Sequence, residues 1–546
     1  MKKVLSIAFV ALMGLVASAQ STFWEYTNYI GAFAPTPTAR WTDGWCNFDP
    51  QNATYPTSTI NVTANITTNT TWTSSNVYHL NDAVIYVKPG ATLTIQPGTI
   101  IRGSGKGTLV IERGGKINAQ GTASQPIVFT SNFTPGNRDY GDWGGVVICG
   151  AARHNLAAGP DAVVEGGIGD AATQTGVHGG TNDDDSSGVF SYVRIEFCGI
   201  SLTPNPNSEI NGLSMYSVGR KTKMDHIQVS YSGDDSFEWF GGTVDLKYIV
   251  AFHGWDDDFD TDNGYRGRVQ FACSIRDSRN ADQSGSNGFE CDNDANGSDR
   301  TPKTNPTFSN VTIIGPDYTG NPDITHADYR RALHIRRNAA TSVYNSIFTG
   351  YPSAGFLLDG RKTTANYCGD TLEFKANIIA GCANDWHLSN ADTLCITGTS
   401  DFVTRGMLTN DTLSVSNDIN LIDPFGNSNS NPDLRPASGS PALTVGSYFG
   451  FTTDFLSTKD LTSIQQASIY PNPASNLTMV SFNLSASADV QIYILDLNGK
   501  MLQQNIIQAN AGSNMIPLQI NTLANGVYVV QIINGKNQMV QKLIVQ

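Results

Sequence analysis

Short runs of alternating apolar and polar residues, separated by glycines, recur through the middle of the chain. Residues 86–96 align without a gap with residues 110–120, an offset of 24 residues, so that Gly90 matches Gly114 and Gln96 matches Gln120. Two-residue hairpin turns are scarce between these runs, which argues against an antiparallel sandwich. Short strands that repeat at a fixed interval instead predict a parallel β-helix, in which each repeat forms one coil.

A second repeat predicts which side chains face the interior of the coil. Six strands align so that one column contains Leu213, Phe237, Phe259, Phe289, Leu333 and Phe356. Two residues later a second column contains Met215, Trp239, Thr261, Cys291, Ile335 and Leu358. Because successive side chains on a strand point to opposite faces, we expect both columns to point inward. Strands that end upstream at glycines such as Gly199, Gly233 and Gly254 predict a second repeated sheet.

The columns between these two should face outward, and they are rich in charge. One contains Glu238, Asp260, Glu290 and His334, and the next contains Asp262, Asp292 and Arg336. Neighbouring strands lie roughly 4.7–4.9 Å apart, so the carboxylates would stack on the surface and repel one another. A bound cation, a shared proton or interleaved basic residues would have to offset that repulsion.

A cluster of hard oxygen ligands favours calcium among the cations. Two phrases, 258–262 and 292–297, place acidic or amide residues at alternate positions, and the predicted metal ligands are Asp258, Asp260, Asp262, Asp292, Asp294 and Asn296. Neither phrase is an EF-hand, since Val269 and Lys303 stand where a bidentate Glu is required. The alternative is that these acidic turns only cap strands and solvate the surface.

The same face offers candidates for catalysis and for ligand binding. Neighbouring strands would hold Glu238 about 5 Å from Asp260 and about 9–10 Å from Glu290, near the separations in retaining and inverting glycosidases. The catalytic candidates are Glu238, Asp260, Glu290, His334 and Arg336, and the candidates for ligand binding are these five with Asp234 and Asp235. Binding of an extended polysaccharide or adhesion is the favoured interpretation, and a calcium-assisted polysaccharide lyase or glycoside hydrolase is the alternative. No organic cofactor is indicated.

The amino-acid composition argues against nucleic acid as a partner. The 546 residues are 40% hydrophobic and 15% charged, with a net charge of −14, so the basic surface of a general nucleic-acid binder is missing. Of the eight cysteines, Cys368, Cys382 and Cys395 are close enough in sequence for one local disulfide. The sequence does not say which two of the three pair.

The two ends of the chain indicate export. Residues 1–19 have the basic start, short apolar run and Ala17-Ser18-Ala19 cleavage site of a secretory signal peptide, and no later stretch predicts a transmembrane helix. Four phrases near the other end, at 468–475, 496–500, 523–528 and 542–546, resemble the C-terminal sorting domain of the type IX (Por) secretion system. This resemblance implies a small β-sandwich that is recognised by the type IX machinery and is usually removed after export, often with attachment of the protein to surface lipopolysaccharide.

The central segment has its own family resemblance. The phrase at 431–441 resembles the closing coil of right-handed, pectin-lyase-like parallel β-helix proteins, and those at 141–148, 232–242 and 254–264 resemble exported type IX cargo proteins of that fold. The predicted fold is therefore all-β, a right-handed parallel β-helix followed by a β-sandwich. The predicted organisation is a signal peptide (1–19), an N-terminal capping segment (20–75), the β-helix (76–446), a linker (447–463) and the sorting domain (464–546).

Overall fold

The computed structural model describes residues 23–202, 209–317, 325–391, 395–426, 431–443, 464–484, 487–496, 500–534 and 537–546. The predicted signal peptide and the predicted linker lie outside these residues. The chain divides into two compact units, of which one spans Thr27–Tyr448 and the other contains the described residues between Phe449 and Gln546.

The larger unit is a parallel β-helix. Its strands in the first half are β1 Ile60–Val62, β2 Thr70–Trp72, β3 Val77–Asn81, β4 Val84–Val87, β5 Thr92–Ile95, β6 Ile100–Ser104, β7 Thr108–Ile111, β8 Lys116–Gln120, β9 Ile127–Ser131, β10 Gly145–Cys149, β11 Ala162–Val163, β12 Val177–His178, β13 Gly188–Glu196, β14 Ile200–Ser201, β15 Glu209–Ile210, β16 Leu213–Tyr216 and β17 Lys223–Ser230. Those in the second half are β18 Phe237–Phe240, β19 Asp245–Phe252, β20 Phe259–Asp262, β21 Arg268–Ile275, β22 Phe289–Cys291, β23 Thr307–Ile314, β24 Arg331–Ile335, β25 Ser342–Tyr344, β26 Ile347–Thr349, β27 Ala354–Asp359, β28 Phe374–Lys375, β29 Ile378–Ala380, β30 Trp386–Ser389, β31 Asp411–Leu413, β32 Leu421–Asp423 and β33 Asp433–Pro436. Two short helices, α1 Arg361–Cys368 and α2 Thr399–Gly406, interrupt the strands.

One sheet carries most of the predicted site residues, and we call it the site sheet. It has ten strands in the order β30-β27-β24-β22-β20-β18-β16-β10-β7-β4, all paired in parallel. Phe237 pairs with Leu213 on one side and Phe259 on the other, and Phe259 pairs in turn with Phe289. The 24-residue repeat also holds, since Tyr86 pairs with Val110 and Leu93 with Ile117. The predicted register is therefore confirmed.

The two predicted interior columns form the core of the coil. All twelve side chains are completely buried, including the single polar one, Thr261. The rings of Phe237 and Phe259 lie 5.7 Å apart, and those of Phe259 and Phe289 lie 5.1 Å apart. We call one of these two columns the interior ladder; it consists of Leu213, Phe237, Phe259, Phe289, Leu333 and Phe356.

The second large sheet bends at a column of residues with left-handed backbone. Tyr192, His226, Tyr248 and Phe271 have φ angles between 51° and 60°, a conformation that costs of order 1–3 kcal/mol for such side chains. Their rings stack in sequence, with centroids 4.1, 4.6 and 5.1 Å apart. Ring stacking between consecutive coils therefore offsets the strain of the bend.

The N-terminal segment packs along the outside of this bend. Trp45 lies 5.6 Å from the ring of His226, and Trp41 lies 5.5 Å from that of Tyr248. Asn47 fixes the segment through two 2.8 Å hydrogen bonds with the side chain of Gln228, one from its backbone amide and one to its carbonyl. These contacts cover the aromatic column from the side of the coil.

The smaller unit consists of two antiparallel sheets. Its strands are β34 Ile464–Tyr470, β35 Leu477–Leu484, β36 Ala488–Leu495, β37 Met501–Ala509, β38 Gly512–Gln519, β39 Gly526–Asn534 and β40 Asn537–Val545, in the orders β34-β35-β38 and β37-β36-β39-β40. Alternate residues such as Val480, Phe482, Ile492 and Ile532 form one shared core. Two sheets that share one core make a small β-sandwich, as the sequence predicts.

The disulfide question left open by the sequence is decided in the structure. Cys368, at the end of α1, is bonded to Cys395, with their Cα atoms 6.2 Å apart. Cys382 remains a free thiol.

The interior ladder gives a test of the fold. Replacing Phe259 by Ala should lower the free energy of unfolding by about 3–5 kcal/mol, because a fully buried ring between two others leaves a cavity. Leu408→Ala is the control, since this side chain is 79% exposed and its loss should change stability by less than about 0.5 kcal/mol. Equal effects of the two substitutions in denaturant unfolding would contradict the interior placement.

Candidate functional site

Seven carboxylates gather on the outward face of the site sheet, and we call them the acidic cluster. Glu238 on β18 pairs with Asp260 on β20, which pairs with Glu290 on β22. The turns that lead into β18 and β20 contribute the remaining four, Asp234, Asp235, Asp256 and Asp257. The predicted stack continues to His334 on β24, which pairs with Glu290.

Three overlapping groups in the cluster are close enough to share a ligand. Their ligand atoms lie within 4.8 Å of one another in Asp234/Asp235/Asp256, in Asp235/Glu238/Asp260 and in Asp257/Asp260/Glu290. Asp235 belongs to the first two groups and Asp260 to the last two. The acidic cluster therefore forms a continuous row of oxygen atoms that could hold a metal ion.

The expectation that these residues form an open surface is wrong for part of the cluster. Glu238, Asp235 and Asp257 are only 9%, 7% and 5% exposed, whereas Asp260 and Glu290 are half-buried. The outward side chains on neighbouring strands, among them Val147, Tyr216 and Phe240, are apolar and pack with Val164 and Ile210 from the covering loops. The apolar face requires a cover, and Glu238 lies at the margin of that covered area.

Burial and mutual repulsion dominate the electrostatics of the cluster. Burial, and then the neighbouring charges, raise the pKa values of Asp235, Glu238, Asp257 and Asp260 well above their ordinary range. In the described part of the chain, none of these four carboxylates forms an ion pair with Lys or Arg. Either protons or a cation must therefore offset their charge at neutral pH.

Amide groups surround these carboxylates without neutralising them. Asn211 donates a hydrogen bond to Glu238, the backbone amide of Asp257 donates to Asp235 over 2.8 Å, and Asn287 donates to Asp257 over 3.1 Å. The Oδ1 atoms of Asn211 and Asp260 are buried and accept no hydrogen bond from the described residues. Buried oxygen acceptors without donors suit a hard cation such as Ca²⁺ or Mg²⁺.

The other end of the row is neutralised by basic side chains. Arg336 forms ion pairs with Glu290 and Asp292, and Arg337 lies 2.7 Å from Asp292. Burial alone would raise the pKa of Glu290, but the neighbouring His334 and the charge of Arg336 hold it below its ordinary value. The buried ring of His334 lies between two carboxylates, with Nδ1 3.6 Å from Glu290 and Nε2 3.6 Å from Asp359.

The six predicted calcium ligands do not come together as one set. Asp258 points into the core of the coil, where its carboxylate binds Arg276 over 2.7 Å and Ser274. Asp292 is held by the two arginines, and Asp294 caps its own turn by accepting hydrogen bonds from Asn296 and Ser298. Of the six, only Asp260 belongs to one of the three groups of described residues that could hold a metal, because other partners in the coil hold the carboxylates of Asp258, Asp292 and Asp294.

Sequence reasoning missed several members of the site. Asn211, Asp257 and Asn287 were not predicted, yet they occupy the same position as the predicted Asp235 on four consecutive coils, two residues before the interior ladder. Extending the aligned strands by two residues upstream of the interior ladder would have found them. Asp359 lies beside His334 because their strands, β27 and β24, are neighbours.

The comparisons with known proteins identify the family. The family described as pectate-lyase like beta helix domain matches residues 64–413, and the secretion system C-terminal sorting domain matches residues 468–546. Since the first match covers more than half of the chain, the protein belongs to the pectate-lyase-like β-helix family and carries a C-terminal sorting domain.

Comparison with curated proteins gives no match to the chain. Among solved structures, the enzymatically active domain of tailspike protein 2 of bacteriophage CBA120 is similar at 10% identity and a TM-score of 0.27, with 86% of this chain and 72% of that chain covered.

The sorting domain gives the destination of the protein. It marks a secreted protein, of a kind often attached to the cell surface, and implies interaction with the type IX secretion machinery. Across the described residues, none of the helices is long and apolar enough to cross a membrane.

The raised pKa of Glu238 predicts an unusual pH dependence. Because the folded state binds a proton more tightly than the unfolded state, the contribution of Glu238 to stability is present below its unfolded pKa and is lost as pH rises toward its folded pKa. In chelator, lowering the pH from about 7.5 to about 5 should therefore stabilise the wild type more than Glu238→Gln, by at most about 1.4 kcal/mol for each pH unit crossed.

The exposed carboxylate of Asp370 provides the control, since Asp370→Asn should keep the full response of the wild type. Denaturant unfolding at the two pH values measures the difference. An identical pH dependence of the wild type and Glu238→Gln would contradict the raised pKa.

Proposed function

We propose that this secreted protein binds extended polysaccharide at the cell surface, through an outer face whose acidic cluster holds Ca²⁺. The observation that carries the proposal is the row of stacked carboxylates on consecutive strands, of which the buried members have no basic partner among the described residues. So many buried like charges are stable only if a ligand or protons offset them.

Within the acidic cluster, Asp235, Glu238 and Asp260 are the best supported calcium ligands. They form one of the three groups, and the unsatisfied Oδ1 of Asn211 lies beside them because Asn211 is hydrogen-bonded to Glu238. The group at Glu290 is less suited, since Arg336 already neutralises that carboxylate. All the donors are oxygen atoms, which is the ligand set that calcium prefers.

The polysaccharide part of the proposal depends on the shape of the site sheet. Its strands repeat at a constant spacing, so the face offers equivalent positions in a row that match the repeating units of a linear polymer. Asp234, Asp256, Asp260 and Glu290 remain partly exposed along that row. A bound Ca²⁺ would supply open coordination positions for hydroxyl or carboxylate oxygens of a sugar.

The outward-facing rings of β16 and β18 are not part of this surface. Tyr216 and Phe240 stack on each other with centroids 4.1 Å apart and are buried beneath the covering loops. The face is therefore polar, and recognition would rely on hydrogen bonds and coordination.

A calcium-assisted polysaccharide lyase or glycoside hydrolase is the second candidate, and the environment of His334 favours it. This buried imidazole lies between Glu290 and Asp359, and Arg336 contacts the same Glu290, so a base and a cation adjoin the partly exposed end of the cluster. A general base next to a positive charge is suited to abstracting a proton from a sugar carbon. The candidate catalytic residues remain Glu238, Asp260, Glu290, His334 and Arg336.

Calcium binding predicts a stabilisation that depends on the cluster. Adding Ca²⁺ at 100 times its dissociation constant should raise the free energy of unfolding by about 2.7 kcal/mol. The variant Asp235→Asn/Asp260→Asn should lose this gain, whereas Asp370→Asn/Asp418→Asn, which removes two exposed carboxylates, should retain it. Thermal unfolding with calcium and with chelator measures the effect, and an equal calcium response in both double variants would exclude this site.

A screen against polysaccharides separates binding from catalysis. Purified protein is mixed with uronate-rich and neutral polysaccharides, with and without chelator, and both binding and product release are scored. If the protein only binds, Glu238→Gln/Asp260→Asn/Glu290→Gln should weaken retention at least tenfold while neither protein releases product. Product release that the triple variant abolishes would instead establish the enzyme, and retention unaffected by the substitutions would exclude the acidic face as the binding surface.

A further inference from the structure

A second polar cavity lies next to the acidic cluster and has the opposite charge. This basic pocket has a volume of about 370 Å³, and its charged lining consists of Arg336, Arg337, Arg361, Lys362 and Asp359. The volume is in the range of small-ligand sites. Four cations thus line the cavity against a single carboxylate.

Three separate segments build the pocket. The turn after β24 contributes Arg336 to Asn338, the loop after β22 contributes Asn296 and Gly297, and the first turn of α1 contributes Arg361 to Thr363. Lys362 links two of these segments through a 2.9 Å ion pair with Asp299 and a hydrogen bond to the carbonyl of Gly297. Asn338 adds a hydrogen bond from its backbone amide to Thr363, so the pocket has a defined shape.

The basic side chains of the pocket are not all neutralised by carboxylates of the described residues. Arg361 forms no ion pair with any described residue, and the bond between Lys362 and Asp299 joins two exposed groups, which adds little stability. The Nη1 atom of Arg337 pairs with Asp292, and the side chain of Arg337 is exposed. The one lining carboxylate, Asp359, already accepts a hydrogen bond from Asn390 and faces His334.

The start of α1 adds to the positive potential. Gly360 precedes the helix and no side chain caps its first turn. The amide groups of that turn therefore remain available as donors, and the helix dipole favours an anion there. Both the side chains and the backbone of the pocket thus offer hydrogen-bond donors from several directions.

We propose that the basic pocket binds a tetrahedral oxyanion carried by a sugar, a sulfate ester or a phosphate. Three free oxygens on one such group match donors that converge from three segments, and arginine binds such groups with paired hydrogen bonds. This inference rests on the proposed function, which it deepens by specifying an anionic glycan. With a net charge of −14 the protein has no general attraction for polyanions, so selective retention of one requires a local site.

The test compares two Arg-Lys dipeptides of the same chain. Arg361→Gln/Lys362→Gln removes two charges from the pocket, and Arg220→Gln/Lys221→Gln removes two exposed charges that pair with Asp184 elsewhere. Dissociation constants are measured with the full chain in calcium for two anionic ligands that carry tetrahedral groups, sulfated dextran and a phosphorylated lipopolysaccharide core, and for unsulfated dextran and polygalacturonate as controls. We expect the pocket variant to bind one of the two anionic ligands about tenfold more weakly, with the control unchanged.

The two anionic ligands distinguish the source of the oxyanion, and further measurements keep this inference separate from the proposed function. Inorganic sulfate or phosphate should raise the melting temperature of the wild type and of the control but not of the pocket variant, whether or not any polysaccharide binds. Equal affinities in the two variants, or a selective loss of polygalacturonate, which carries only carboxylates, would overturn the oxyanion site. Failure of every polysaccharide to bind with this melting response intact would refute the proposed function alone.

Discussion

Parallel pairing between consecutive coils is the constraint on which the rest of the structure depends. It places residues at the same strand position next to one another, roughly 4.7–4.9 Å apart, through the whole unit. The interior ladder fixes this register, because a slip of one residue would turn Phe237, Phe259 and Phe289 outward. The same register then forces Glu238, Asp260 and Glu290 into one row, whatever their repulsion costs.

The charge along that row is balanced differently at its two ends. At Glu290 and Asp292 the protein supplies Arg336 and Arg337, so this end is complete without a ligand. At Asp235 and Glu238 the described residues supply only amide donors, which leave the negative charge in place. This asymmetry locates the proposed cation at one end and the anion-binding arginines at the other, where Arg336 contacts the acidic cluster and lines the basic pocket.

The loops over the site sheet determine how strongly these charges interact. Val164 and Ile210 pack over Tyr216 and Phe240, and Glu238 becomes buried beside them. A carboxylate in such surroundings interacts with its neighbours through a lower effective dielectric than on an open surface, so both repulsion and cation binding are strengthened. The bends in the second large sheet show a similar balance, since the stacked rings of Tyr192, His226 and Tyr248 offset local backbone strain.

The sequence by itself determined the parallel β-helix, its register and the stacking of Glu238, Asp260, Glu290 and His334. The alternation of apolar and polar residues and the length of the repeat are local properties, and both recur in every coil. Only the tertiary structure decided that Asp258 turns inward to Arg276, that Asn211 joins Glu238, and that the basic pocket forms at the start of α1. These features arise where loops of unequal length meet across the outer surface. No period in the sequence relates such loops, so their contacts follow from packing in three dimensions.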